Sequence, residues 1–267
     1  TAIGAYAGVS VTTGIQNTLI GGLAGDALTD ADFNTAFGHE ALGSDTLGSK
    51  SVALGMNALR DQNFTTATDS FNVAVGYNAG ISVTTGIENT LIGALAGDAL
   101  TDADHNTAVG FNSLQLDTLG SRSTAVGREA LYSQNFTTAT NSNNTAVGYQ
   151  AGTAITTGTA NTFIGSNAGD GTDDGSNNTA VGHSALSANC ASANTAFGNS
   201  AAIGATGADN TVIGYYAGGQ LSTGSRNLIL GHESGSDLFS NGLFQVTSHN
   251  DRIVLGTTEA THAYIQI

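Results

Sequence analysis

The chain has 267 residues, with 37 glycines, no proline, no tryptophan, 6 basic and 21 acidic residues and a formal net charge of −15. An apolar content of 40% excludes a disordered chain, and glycine does not recur at every third position as it does in collagen. So few basic side chains cannot form a phosphate-binding groove, and no apolar run is long enough to span a bilayer, so we expect neither a nucleic-acid partner nor membrane insertion.

A nine-residue motif recurs along the chain. Its clearest copies read NTLIGGLAG (17–25), NVAVGYNAG (72–80), NTLIGALAG (89–97), NTAVGYQAG (144–152), NTFIGSNAG (161–169) and NTVIGYYAG (210–218). The central glycines recur at a nearly constant spacing, as from Gly76 to Gly93 and from Gly93 to Gly110, which is typical of a solenoid. The first copy starts at Thr1 without the motif asparagine, so we expect the chain to be an excerpt of a longer protein.

Each motif copy contains a short run of threonine and bulky apolar residues between turn-forming residues, which predicts one short strand per copy. The predicted fold is therefore all-β, a parallel β-solenoid or β-roll with coils of about 17 residues over 1–235. The spacing then lengthens to the final motif glycine, Gly256. We predict that residues 236–267 form a separate transition segment.

Asparagine opens most copies of the motif. These positions are Asn17, Asn34, Asn72, Asn89, Asn106, Asn144, Asn161, Asn178, Asn194, Asn210 and Asn227, with Ser51 and Ser123 at two other copies. Asparagine tolerates turns, and its amide can bond backbone groups or stack in a ladder from coil to coil. A catalytic residue is needed once, so we interpret this column as structural.

The third motif position is mostly alanine, with the larger Leu19, Leu91 and Phe163 at equal intervals, and the fourth position is always bulky and apolar. Adjacent strand residues face opposite ways, so one of these columns fills the coil and the other needs external cover. The simplest cover is another copy of the chain. We therefore expect a homo-oligomer.

Two copies are followed by longer spacings, from Gly55 to Gly76 and from Gly127 to Gly148. The inserted stretches read QNFTTATDSFN (62–72) and QNFTTATNSNN (134–144). We expect these insertions to protrude. Their phenylalanines Phe64 and Phe136, with the neighbouring Tyr132, are therefore the receptor-contact candidates.

The stretch GDGTDDGSNN (169–178) places two adjacent aspartates in a turn-rich segment. Paired carboxylates can serve glycosidases, and oxygen-rich loops can bind calcium, but aspartate beside glycine, serine and asparagine is more typical of turns. The sequence contains no phosphate-binding loop and no nucleophile elbow. We predict no catalytic residues, no metal, no cofactor and no enzymatic activity.

The NTAVG-type units resemble the repeats of YadA-type trimeric autotransporter adhesin heads over residues 1–235, and the NTAVGYQAG style is similar to repeat arrays of marine phage tail fibres. The closing stretch NDRIVLGTTEATHAYIQI (250–267) is similar to the segment that precedes an endosialidase-type intramolecular chaperone. These resemblances imply a homotrimeric β-roll that such a chaperone assembles.

We therefore expect the trimeric shaft of a viral tail fibre or spike in the virion. Its implied partners are its own copies, other virion tail proteins and a host cell-surface receptor or glycan. Three alternatives remain open: a bacterial trimeric surface adhesin head at the cell surface, an ice-binding solenoid, and a polysaccharide depolymerase.

Overall fold

The motif copies form short parallel strands in the computed structural model, which describes residues 1–236 and 246–257. The chain divides into two units, Thr1–Asn144 and Thr145–Ile267. Every regular element among the described residues is a β-strand, which confirms the all-β prediction. None of the described residues forms an apolar helix long enough to cross a membrane.

The first unit is built from twelve short strands. They are β1 (Ala2–Ile3), β2 (Thr18–Ile20), β3 (Thr35–Phe37), β4 (Gly48–Ser49), β5 (Val52–Leu54), β6 (Thr68–Asp69), β7 (Val73–Val75), β8 (Thr90–Ile92), β9 (Thr107–Val109), β10 (Gly120–Ser121), β11 (Thr124–Val126) and β12 (Thr140–Asn141). The motif strands pair in parallel in the order β1-β2-β3-β5-β7-β8-β9-β11, while β4 pairs with β6 and β10 with β12.

The second unit contains β13 (Thr145–Val147), β14 (Thr162–Ile164), β15 (Thr179–Val181), β16 (Thr195–Phe197), β17 (Thr211–Ile213), β18 (Leu228–Leu230) and β19 (Ile253–Leu255), paired in parallel in that order. Because β19 pairs with β18, the register continues beyond residue 235. Residues 237–245 and 258–267 of the predicted transition segment lie outside the described residues, and the predicted boundary stays a prediction.

Equivalent motif positions pair in register from coil to coil. Leu91 faces Ala108 and Ile92 faces Val109 in neighbouring strands. Each repeat therefore forms one coil, and its strand bonds to the strand of the next coil. This confirms a parallel β-solenoid of about 17-residue coils within each unit.

The middle residue of each motif strand points inward and is buried. At several coils, volume is exchanged between this residue and the one that lies six positions later, whereas Ala74 and Ala146 are followed there by Gly80 and Gly152. Leu19 is followed by Gly25, whose added Cβ would meet the Leu19 side chain at 2.8 Å, whereas Ala36 is followed by the buried Leu42. Such a swap keeps the core filled at native density. The regular recurrence of large residues at this strand position is thus a packing pattern.

The motif glycine turns the chain at the end of each strand. Gly110 has φ +138°, a conformation that is essentially restricted to glycine. A Cβ at this position would also overlap the carbonyl oxygen of Gly127 in the next coil. Backbone conformation and close stacking both require glycine here.

Candidate interaction surface

The first and third residues of each motif strand point outward. The fourth motif position is therefore an exposed or half-exposed apolar column, in which Phe37 is 52% and Ile92 is 38% exposed. In the first unit it comprises Ile20, Phe37, Leu54, Val75, Ile92, Val109 and Val126, and in the second unit Val147, Ile164, Val181, Phe197, Ile213, Leu230 and Leu255. The sequence predicted one filled and one uncovered apolar column, and this is the uncovered one.

Further apolar side chains flank this column. In the first unit Met56, Tyr77 and Phe111 are exposed directly after the motif glycine, and the Arg128 guanidinium lies 5.8 Å from the centre of the Phe111 ring. Single exposed apolar residues are normal on soluble proteins, but a contiguous patch marks an interaction site. This outward sheet face is the strongest candidate interface of each unit.

The asparagine column is buried and connects successive coils. The Asn106 backbone N–H donates to Asn89 Oδ1 at 2.9 Å, and Asn106 Oδ1 accepts from the Ser123 N–H at 2.9 Å. Asn106 Nδ2 donates to the Gly120 carbonyl at 2.9 Å. The Asn106 amide thus satisfies a backbone donor and a backbone acceptor of the following coil. Direct amide-to-amide bonds also occur, as from Asn227 Nδ2 to Asn210 Oδ1 at 3.0 Å.

The expectation that Phe64 and Phe136 protrude is wrong. Their side chains are only 5% and 6% exposed. The Phe64 N–H donates to Asp45 Oδ1 at 3.1 Å, and Gly48 leaves the room into which the ring packs, since a Cβ there would lie 2.7 Å from the ring. The two rings are therefore packed into the solenoid, and their contact with a receptor stays a prediction that this burial does not favour.

A buried polar network holds each insertion in place. Gln62 Nε2 donates to Asp45 Oδ2 at 2.6 Å and to Ser51 Oγ at 2.9 Å, and Gln62 Oε1 accepts from Asn72 Nδ2 at 2.9 Å. The second insertion repeats this arrangement with Asp117, Gln134, Ser123 and Asn144. These networks satisfy groups that would otherwise be costly to bury. The short local pattern of each insertion does not reveal these networks, although all four residue types recur together at the second insertion.

Burial raises the pKa of both Asp45 and Asp117 above the usual range. The hydrogen bonds from the glutamine and from backbone N–H groups oppose this shift. Because both carboxylates are enclosed and fully bonded, they fit a structural role. Neither is placed to reach a substrate.

The third receptor-contact candidate, Tyr132, is half-buried in the first unit, and its role stays a prediction. The acidic turns connect coils instead of converging. Asp102 Oδ1 accepts from Thr85 Oγ1 at 2.6 Å, Asp104 Oδ1 accepts from the Ile87 N–H at 2.8 Å, and Asp173 accepts from the Thr156 hydroxyl. Over the described ranges, no three histidine, cysteine or acidic side chains are grouped as a metal site would need.

No known protein family model matches the chain, and no curated protein matches it in sequence. Function must therefore be argued from the surface itself.

Proposed function

We propose that this chain is the shaft of a viral tail fibre or spike, assembled as a homotrimer and serving attachment to a host cell. The observation that carries the proposal is the outward apolar column, which repeats once per coil in each unit and is not covered by the described residues. Burying such a column would be favourable by about 25 cal/mol for each Å² of apolar surface. The work of a shaft of this kind is mechanical.

The proposed cover is a second and a third copy of the same chain. Coils stack at the strand spacing of about 4.8 Å. Only a partner with the same repeat presents a matching apolar residue at every level, and identical chains meet this condition around a rotational axis. The virion location, the contact with other tail proteins and the host receptor or glycan rest on the resemblance of the repeats to phage fibres.

The test is the mass in solution, measured by sedimentation equilibrium at micromolar concentration. We expect three chains per particle. The double variant Ile92→Lys/Val109→Lys places two charges in the proposed interface and should dissociate it, whereas Thr137→Lys, on the exposed insertion, should not. Circular dichroism establishes that each variant is folded. A monomeric native chain, or a double variant that stays trimeric, would refute the proposed assembly.

The bacterial adhesin head would use the same interface and the same trimer. The full gene distinguishes the two functions, because a coiled-coil stalk with a C-terminal membrane anchor favours the adhesin and a chaperone domain favours the fibre. In either case the chain is part of an attachment module, and the apolar face lies inside its trimer.

An ice-binding solenoid is a second candidate because threonines also align on the outward face. Thr90, Thr107 and Thr124 are paired in register, one per coil, beside the apolar column. Ice binding would use this face in the monomer, whereas the shaft buries it in a trimer. Thermal hysteresis in the native chain would favour ice binding, and its absence would remove this candidate.

A further inference from the structure

A cleft lies over Asp26 on the first unit. It encloses about 280 Å³ and is lined by Leu23, Asp26, Glu40, Gly43, Ser44 and Arg60. Within the described part of the chain, the carboxylates of Asp26 and Glu40 accept no hydrogen bond and form no close ion pair, although Glu40 lies near enough to Arg60 for their charges to attract. The cleft therefore presents two partly solvent-exposed carboxylates, without a hydrogen-bond partner in the described chain, next to a guanidinium.

The chain contains its own comparison for this cleft. Residues 76–147 repeat residues 4–75, so that Asp98 corresponds to Asp26 and Gln115 corresponds to Gly43. In the second copy Gln115 Nε2 donates to Asp98 Oδ2 at 3.3 Å. A carboxamide thus occupies the place that is open in the first copy.

Gly43 is not required by the backbone, because its φ lies outside the left-handed region. A Cβ at Gly43 would lie 3.3 Å from the Glu40 carbonyl oxygen and 3.5 Å from Asp26 Oδ1, which a small adjustment accommodates. A side chain could therefore be present and would close the cleft, as Gln115 does in the second copy. The missing side chain is what opens the site.

The other walls of the cleft also differ between the two copies, although the buried leucine next to this position is kept as Leu42 and Leu114. Glu40 and Arg60 are replaced by Asn112 and Tyr132. Arg60 is oriented by Asp61, through Nε to Oδ1 at 2.7 Å and Nη2 to Oδ2 at 3.0 Å. A guanidinium has five N–H donors, so this pairing leaves donors for a ligand.

We propose that this cleft binds the acetamido group of an N-acetylated sugar. Its N–H donates to Asp26, as the Gln115 amide donates to Asp98, and its carbonyl oxygen accepts from Arg60. Ring hydroxyls satisfy Glu40 and Ser44, and Leu23 contacts the apolar face of the ring. The volume is slightly below the roughly 300–1,000 Å³ of pockets for drug-sized ligands, which suits a single ring.

This proposal deepens the proposed attachment function by naming the glycan group that the shaft binds. The inference rests on the attachment function only for its biological purpose, because sugar binding can be measured on a monomer as well as on a trimer. A trimer without sugar binding would refute this inference alone, and sugar binding by a monomer would refute the proposed assembly alone.

The experiment is a saturation-transfer NMR titration with N-acetylglucosamine, using glucose as the sugar without an acetamido group. We expect saturation of the acetyl methyl protons by the native chain. Gly43→Gln, which copies the second repeat, should weaken binding at least about tenfold, and Glu40→Asn should weaken it as well. Gly22→Ala also copies the second repeat but does not line the cleft, so it is the matched control and should bind as the native chain does.

Absence of binding to the native chain would overturn the proposal, as would equal binding by Gly43→Gln with an unchanged circular dichroism spectrum. Equal binding of glucose would refute the acetamido assignment. N-acetylalanine amide carries an acetamido group but no sugar ring. If it bound as tightly as the sugar, the occupant would be a peptide and the saccharide assignment would be wrong. If Gly43→Gln fails to fold, the test is Glu40→Asn, and unchanged sugar binding by that variant would overturn the proposal.

Discussion

Truncating one member of the asparagine column tests how the coils are held together. Asn106→Ala removes the acceptor of the Ser123 N–H and the donor to the Gly120 carbonyl, both bonds being 2.9 Å long. Each of these buried backbone groups then lacks a partner, at a cost of about 1–3 kcal/mol. We therefore expect the free energy of unfolding to fall by about 2–6 kcal/mol. That is a large share of the roughly 5–15 kcal/mol typical of a native protein.

Urea titration measures the loss, and amide hydrogen exchange locates it. The Ser123 amide should lose its protection in Asn106→Ala, because its acceptor is gone. Thr137→Ala, an exposed substitution in the insertion, is the control and should change the stability by less than about 0.5 kcal/mol.

A serine variant makes the prediction sharper. Serine occurs naturally at Ser51, but there its hydroxyl accepts from Gln62, and Gln62 in turn accepts from the next asparagine. Asn106 has no such glutamine among its bonded neighbours. Asn106→Ser should therefore be nearly as unstable as Asn106→Ala. A loss below about 1 kcal/mol for alanine, or near-native stability for serine, would refute the role assigned to the amide.

Two further predictions concern the turn and the buried carboxylate. Gly110→Ala should destabilise the fold by at least about 1–3 kcal/mol in urea titration, because alanine is strained at φ +138° and its Cβ meets the next coil, while Gly22→Ala should leave the stability unchanged. Burial raises the pKa of the Asp117 carboxyl, so the folded chain keeps the carboxyl protonated to a higher pH than the unfolded chain does. The contribution of Asp117 to stability is therefore full below pH 3.8 and declines as the pH rises through the raised pKa. Asp117→Asn should remove this decline, so the stability difference should shift in favour of the variant as the pH rises above 3.8. Parallel pH profiles of the native chain and the variant would contradict the assignment.

Much of the coil could be predicted from the sequence because its period is short and regular. A constant spacing places equivalent residues in adjacent strands, and the twofold alternation of a strand separates the inward Leu91 from the outward Ile92. Both inferences need only the period of the sequence and the pleated geometry of a strand. No knowledge of distant contacts is required.

The insertions could not be predicted in the same way. Phe64 is buried because Asp45, which lies in the preceding coil, accepts its N–H, and because Gly48 leaves space for its ring. A short run of polar and apolar residues gives no local signal for that contact. The sequence does carry one signal: Asp45, Gln62 and Asn72 recur together in the second copy as Asp117, Gln134 and Asn144. Residues that only face solvent would not need to recur as a set.

The corners of the coil were also beyond local sequence rules. Leu23 and Phe33 adopt φ of 59° and 61°, where glycine or asparagine would be expected. Stacking bonds compensate for these conformations, as when the Leu23 N–H donates to the Ala5 carbonyl at 2.9 Å. Such positions are set by the neighbouring coil, so the residue type alone does not reveal them.

Repetition itself separates the scaffold from the recognition surface in this molecule. A residue that recurs at every level, such as the motif asparagine, stabilises all coils equally and cannot distinguish one place on the surface from another. Recognition therefore depends on positions where equivalent coils differ. Gly43 and Gln115 are such a pair: the aspartate beside them is kept as Asp26 and Asp98, whereas the cover of the cleft and its Glu40 and Arg60 walls differ. Gly43→Gln should therefore close the cleft of the first copy without changing the solenoid that carries it.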